Sequence, residues 1–111
     1  MIVGIGCDIT KISRFANKSS EFINKILSPE EKVLYCQKNN QQKSEFLAGR
    51  FAAKEAIIKA LPTNINITMP EINIFYQNEK PTCQIFTEYK ILISISHEKE
   101  YAIGYACIQK N

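Results

Sequence analysis

The stretch Ile91-Leu92-Ile93-Ser94-Ile95-Ser96-His97-Glu98-Lys99-Glu100-Tyr101-Ala102-Ile103-Gly104-Tyr105-Ala106-Cys107-Ile108 decides the fold class. Two runs, Ile91 to Ser96 and Tyr101 to Ile108, alternate with the period of half-buried strands. The polar quartet His97-Glu98-Lys99-Glu100 separates them, the expected form of an antiparallel hairpin. Just upstream, Glu71-Ile72-Asn73-Ile74-Phe75-Tyr76 alternates polar and apolar in the same way and predicts another strand. Asn78-Glu79-Lys80-Pro81 reads as a turn into a further short strand, Thr82-Cys83-Gln84-Ile85-Phe86.

Before Pro62 the period is helical. Phe46, Leu47, Phe51, Ala52, Ile57, Ile58 and Leu61 give a broad apolar surface to a helix over roughly 44–61, which Pro62 ends. Ser28-Pro29-Glu30-Glu31 is a capping box with proline at the first helical position, so a second helix starts at residue 29 and runs to about Gln37. The polar stretch from Lys38 to Lys43 separates the two. Ile12, Phe15, Phe22, Ile23 and Ile26 recur at helical spacing in shorter segments. Residues 2–9 read as an opening strand. Helices followed by antiparallel strands predict one α+β domain over residues 1–111, an antiparallel sheet packed against a long helix and shorter helices. Alternating βαβ units are absent from the pattern, so a parallel sheet is discounted.

The chain has 111 residues, 45% of them hydrophobic and 23% charged, a globular mix. Its 14 basic residues against 11 acidic ones leave a net charge of only +3. Aromatic residues fall at apolar periodic positions rather than between basic ones, which disfavours nucleic acid as a partner. No apolar run approaches the roughly 20 residues of a membrane span. The four cysteines, Cys7, Cys36, Cys83 and Cys107, form no CxxC pair, and His97 is the single histidine. They read as reduced thiols of a cytoplasmic protein. A pocket for a large cofactor is hard to carve from so small a core, so a shared subunit interface is an attractive place for a site.

Two acids stand out. Asp8 closes a strand containing Gly4 and Gly6, glycines that let another backbone or a ligand come close. It reads equally as an ordinary strand-end carboxylate. Glu55 lies among Ala52, Ala53 and Ala56, with Lys59 one turn later on the same helix face. That pair is either an exposed i,i+4 ion pair or a carboxylate awaiting a metal. Periodicity does not decide between them.

Gly4-Ile5-Gly6-Cys7-Asp8-Ile9, taken with Phe46-Leu47-Ala48-Gly49-Arg50-Phe51-Ala52-Ala53-Lys54-Glu55-Ala56-Ile57-Ile58-Lys59, resembles the 4′-phosphopantetheinyl transferase superfamily, and within it the short-chain holo-acyl-carrier-protein synthases. The motifs are a G-x-D at the end of the first strand and an F-x-x-K-E-x-x-x-K on a helix. Lys80-Pro81 and Ser94-Ile95-Ser96-His97 extend the likeness along the chain. The resemblance implies transfer of 4′-phosphopantetheine from coenzyme A to a serine of apo acyl carrier protein, releasing adenosine 3′,5′-bisphosphate, in support of fatty acid and lipid biosynthesis.

The same resemblance implies Asp8 and Glu55 as ligands of Mg²⁺, a hard cation that takes one or two carboxylates and substrate phosphates. It implies Lys59 on the pyrophosphate and Glu55 as a candidate base for the serine hydroxyl. Arg50, Lys54 and His97 are expected to line the coenzyme A phosphates and adenosine. Arg14, with Lys11 and Lys18, is expected to form a basic helix face for the acidic carrier protein. A homotrimer with sites between subunits is implied as well. One departure is the stretch 61–68, which lacks the glycines common in relatives, so no coenzyme A contact is carried onto it. The rival reading is a non-catalytic module that binds carrier protein or nucleic acid; such a relative is expected to have lost Asp8 or Glu55, and both are present.

Overall fold

The computed structural model describes residues 1–111. Five strands, β1 (Ile2–Lys11), β2 (Phe75–Gln77), β3 (Lys80–Thr82), β4 (Tyr89–His97) and β5 (Tyr101–Lys110), form one sheet in the order β1-β5-β4-β3-β2. Every pairing is antiparallel. Three helices, α1 (Ser20–Asn24), α2 (Pro29–Cys36) and α3 (Asn40–Ala60), lie between the first strand and the rest. Single 3₁₀ turns cover Ile12–Phe15 and Met69–Glu71. The α+β class follows the sequence reading.

The helix starts are set by side chains. At α2, Ser28 and Glu31 exchange the reciprocal bonds of a capping box. Helix α3 begins at Asn40, four residues before the sequence reading put it, because Asn39 and Gln42 build a second box of the same kind. The polar stretch Lys38 to Lys43 is therefore partly the solvated first turn of α3 rather than a spacer.

The strands predicted over 71–76 and 82–86 are much shorter. The amide of Ile74 donates to the Glu31 carboxylate at 3.2 Å and that of Ile72 to the Met69 carbonyl at 3.0 Å, so neither enters a ladder. Both side chains are buried all the same, which is why their alternation imitates a strand. Strand β3 registers with β4 only at Thr82–Leu92, after which Cys83 turns into the core.

Helix α3 lies on one face of the sheet. A β-carbon on Gly4 or Gly6 would fall inside van der Waals contact of the backbone carbonyls of Ala60 and Ala56, so only glycine lets β1 approach the helix this closely. Between helix and sheet sits a core of Ala53, Ala56, Ile57, Ala106 and Ile108, all buried. The opposite sheet face is uncovered, with Ile5 63% and Ile9 59% exposed and Ile103, Tyr105 and Leu92 each above 40%. The register sets these residues side by side: Ile9 faces Ile103, Cys7 faces Tyr105, and Cys107 joins Ile5 to Leu92.

Candidate active site

Asp8 shares the helix-facing side of β1 with Gly4 and Gly6, because side chains two apart on a strand point the same way. From α3, Lys59 reaches across this seam, its Nζ 3.3 Å from Asp8 Oδ1 and 3.2 Å from the Cys7 carbonyl. The intrahelical Glu55–Lys59 ion pair, one of the two sequence readings, is not formed. Instead the Glu55 carboxylate, half-buried one turn earlier, has no hydrogen-bond or ion-pair partner in the chain. Asp8 and Lys59 thus meet at the seam, and Glu55 lies one turn before Lys59 on the same face of α3. Two carboxylates are hard oxygen donors, a residue set whose chemistry suits Mg²⁺.

Lys54, the other lysine of the motif, turns the opposite way. Its ammonium is fully buried and donates to the Ile26 carbonyl at 2.6 Å, the Met69 carbonyl at 3.0 Å and the Glu31 carboxylate. Its three protons are therefore all used inside the fold. Burial pushes its pKa below the ordinary lysine value, while Glu31 opposes the shift. The expectation that Lys54 lines the coenzyme A phosphates is corrected here: no donor is left to meet a ligand.

Arg50 belongs to the same cluster, its Nε donating to Glu31 Oε2 at 3.1 Å. Glu31 is thus held by one lysine and one arginine, besides the amides of Ser28 and Ile74. Sequence reading saw Glu31 only as half of a capping box, since partners 19 and 23 residues away leave no local signal. On its other side Arg50 stacks over Phe46 at 4.3 Å and Tyr76 at 5.6 Å. It lines a cleft of about 220 Å³ with Lys38, Phe46, Tyr76 and His97. His97, expected in the turn, is the last residue of β4 and faces Ala102. Arg50 and His97 therefore meet in one cleft. A much larger cavity, about 1070 Å³, opens where β3 and β4 diverge; it includes none of the expected site residues.

Lys11, Arg14 and Lys18 are all exposed, but they do not share a helix face. Lys11 ends β1, Arg14 sits in a single 3₁₀ turn, and Lys18 lies beyond it. The segment is too short and too tightly wound to present an α-helical stripe. Arg14 Nη1 donates to Thr10 Oγ1 at 2.9 Å, and its guanidinium lies over Phe15 and Phe51.

The family model of the 4′-phosphopantetheinyl transferase superfamily matches residues 4–106. A holo-[acyl-carrier-protein] synthase of Mycoplasma mycoides subsp. mycoides is 50% identical over 111 residues, covering 100% of this chain and 98% of its own. That of Bacillus subtilis is 40% identical, covering 99% and 98%. Among solved structures, a holo-(acyl-carrier-protein) synthase from Bacillus anthracis in complex with CoA (3′,5′-ADP) superposes with a TM-score of 0.91 at 35% identity, covering 100% of this chain and 99% of that one.

Proposed function

The chain belongs to the 4′-phosphopantetheinyl transferase superfamily, and from that premise we propose how its own residues divide the work of transferring 4′-phosphopantetheine from coenzyme A to a serine of apo acyl carrier protein. It is an enzyme of the holo-acyl-carrier-protein synthase type, and adenosine 3′,5′-bisphosphate is the product released. The observation that carries the proposal is the seam between β1 and α3, where Asp8 and Lys59 are in contact and Glu55 lacks a partner.

Asp8 and Glu55 would hold Mg²⁺, which when bound supplies positive charge to the pyrophosphate and fixes its orientation. Lys59 is half-exposed and tethered to Asp8, so its ammonium is free to swing onto a phosphate oxygen as negative charge builds on the leaving group. Glu55, directly or through a water held by the metal, would take the proton of the incoming serine hydroxyl. Arg50 and His97, in the cleft with Lys38, would bind an anionic part of coenzyme A. Arg14, Lys11 and Lys18, exposed at the far end of β1, would meet the acidic carrier protein as separate cations.

The bare sheet face supports a homotrimer, since an exposed run of Ile5, Ile9, Ile103 and Tyr105 calls for a second copy to cover it. Sites between subunits would also enlarge the small clefts of one chain. No helix is long and apolar enough to cross a membrane, and the four cysteines are unpaired, as a reducing cytoplasm keeps them.

The test is intact-mass analysis of apo acyl carrier protein incubated with this protein, coenzyme A and Mg²⁺. A gain equal to one phosphopantetheine group, lost on chelation and lost in Asp8→Ala and Glu55→Ala, is expected. Full activity in either variant would remove that residue from the metal site.

A further inference from the structure

The interior beneath the cleft holds one carboxylate and two cations, Glu31 against Lys54 and Arg50, all nine-tenths or more buried. Both Glu31 oxygens are fully occupied: Oε1 accepts from the Ser28 amide and from Lys54, Oε2 from Arg50 and from the Ile74 amide. Four acceptances fill a carboxylate. The cluster therefore carries one positive charge that Glu31 does not offset. Lys54 has spent all its donors on the interior, so the surplus resides on Arg50.

Arg50 gives only its Nε to the chain, leaving the Nη edge without an acceptor. No buried side-chain nitrogen or oxygen lacks a partner, so that edge reaches the cleft. Stacking on Phe46 and Tyr76 fixes the plane of the guanidinium, while the bond to Glu31 fixes its rotation within that plane. A planar fork held in this way presents two parallel N–H bonds to an anion without further loss of rotamer freedom.

We propose that Glu31 is a positioning residue for coenzyme A binding: it draws Lys54 wholly into the fold and, through Nε, aims the free edge of Arg50 into the cleft beside His97 and Lys38. The inference rests on the reading that Arg50 faces coenzyme A. Glu31 touches no substrate and acts through Arg50 alone. Its reach ties three segments to one point, namely the start of α2, the middle of α3 and the 69–74 connection.

The experiment is a double-mutant cycle between Glu31→Gln and Arg50→Ala, with steady-state kinetics in coenzyme A and folding checked by circular dichroism. Glu31→Gln is expected to raise the KM for coenzyme A about tenfold, the worth of one charge-assisted hydrogen bond, with a smaller change in kcat. On the Arg50→Ala background it is expected to raise KM no further. An unchanged KM in folded Glu31→Gln, with KM raised by Arg50→Ala, would overturn the inference and leave the reading of Arg50 standing. No effect of Arg50→Ala would overturn both. Should Glu31→Gln fail to fold, ¹⁵N NMR of the unaltered protein decides. The Arg50 Nε–H is expected to exchange slowly with solvent and to stay unshifted on adding coenzyme A while the Nη signals move. Fast exchange, or loss of the Nε signal on binding, would refute a fixed Glu31 clamp.

Discussion

Lys59 sits on Asp8, its Nζ 3.3 Å from Oδ1 across the seam between helix and strand, and not on Glu55 one turn away on its own helix. That choice keeps the two carboxylates chemically distinct: one is tethered to an ammonium and the other is open.

Substituting Lys59 separates catalysis from stability. The lysine side chain is 51% exposed, and ion pairs of that kind contribute about 0–1 kcal/mol. Lys59→Met is expected to leave the urea midpoint nearly unmoved while lowering kcat by about a hundredfold or more, the usual cost of one preorganised charge at a developing anion. A stability loss with turnover intact would reverse these roles.

Packing against β1 makes Gly6 a lever on the same site. A methyl group there meets the Ala56 carbonyl, so the strand must move off α3 and carry Asp8 with it. Gly6→Ala is expected to destabilise the fold by about 1–3 kcal/mol or more and to raise the Mg²⁺ concentration needed for half-maximal activity. Denaturation curves and a metal titration check the two effects. A variant as stable as the parent would mean that the close approach can relax at little cost.

Much of this was legible in the sequence because it is local. The Ser28–Glu31 cap, the apolar face of α3 and the alternation of β4 and β5 each lie within one segment, and local periodicity reports them. The motifs single out Asp8, Glu55 and Lys59 as candidates, but not the contact between Lys59 and Asp8, since 51 residues separate them. Residues 72–74 misled because burial at alternate positions looks the same whether the amides join a ladder or bond to a carboxylate such as Glu31. Lys54 and Lys59 share a motif five residues apart, yet that spacing turns them to different sides of the helix. One ends in the core and the other in solvent.

The thiol of Cys83 gives the fold an alkaline weakness. Burial pushes its pKa up to about 12 from an ordinary 9.0, with Lys54 pulling the other way and Glu31 adding to the rise. The folded state therefore keeps a proton that the unfolded chain releases. Stability is complete below about pH 9 and falls between there and about pH 12, by about 2 kcal/mol at about pH 10.5. Cys83→Ala lacks this term, so its deficit against the parent in urea denaturation is expected to shrink as the pH is raised. Parallel curves for the two proteins from neutral to alkaline pH would contradict the shift. Under native conditions alkylation is expected at exposed Cys36 and not at Cys83.

The uncovered sheet face carries the last prediction, on assembly. Ile9 is 59% exposed and pairs with Ile103 at the centre of that face, while the adjacent Asp8, proposed to bind the metal, points to the helix side. A charge at an exposed strand position costs the isolated subunit little, whereas burying it unpaired in an interface costs several kcal/mol. Ile9→Lys is expected to keep its circular dichroism spectrum, to sediment as a monomer where the parent is expected to sediment as a trimer, and to lose most of its activity. Loss of assembly with full activity retained would show that each subunit carries a complete site. A parent protein that is itself monomeric and fully active would remove the shared site altogether, and the single chain's own cleft of about 220 Å³ beside Arg50 and His97 would then have to accommodate coenzyme A unaided.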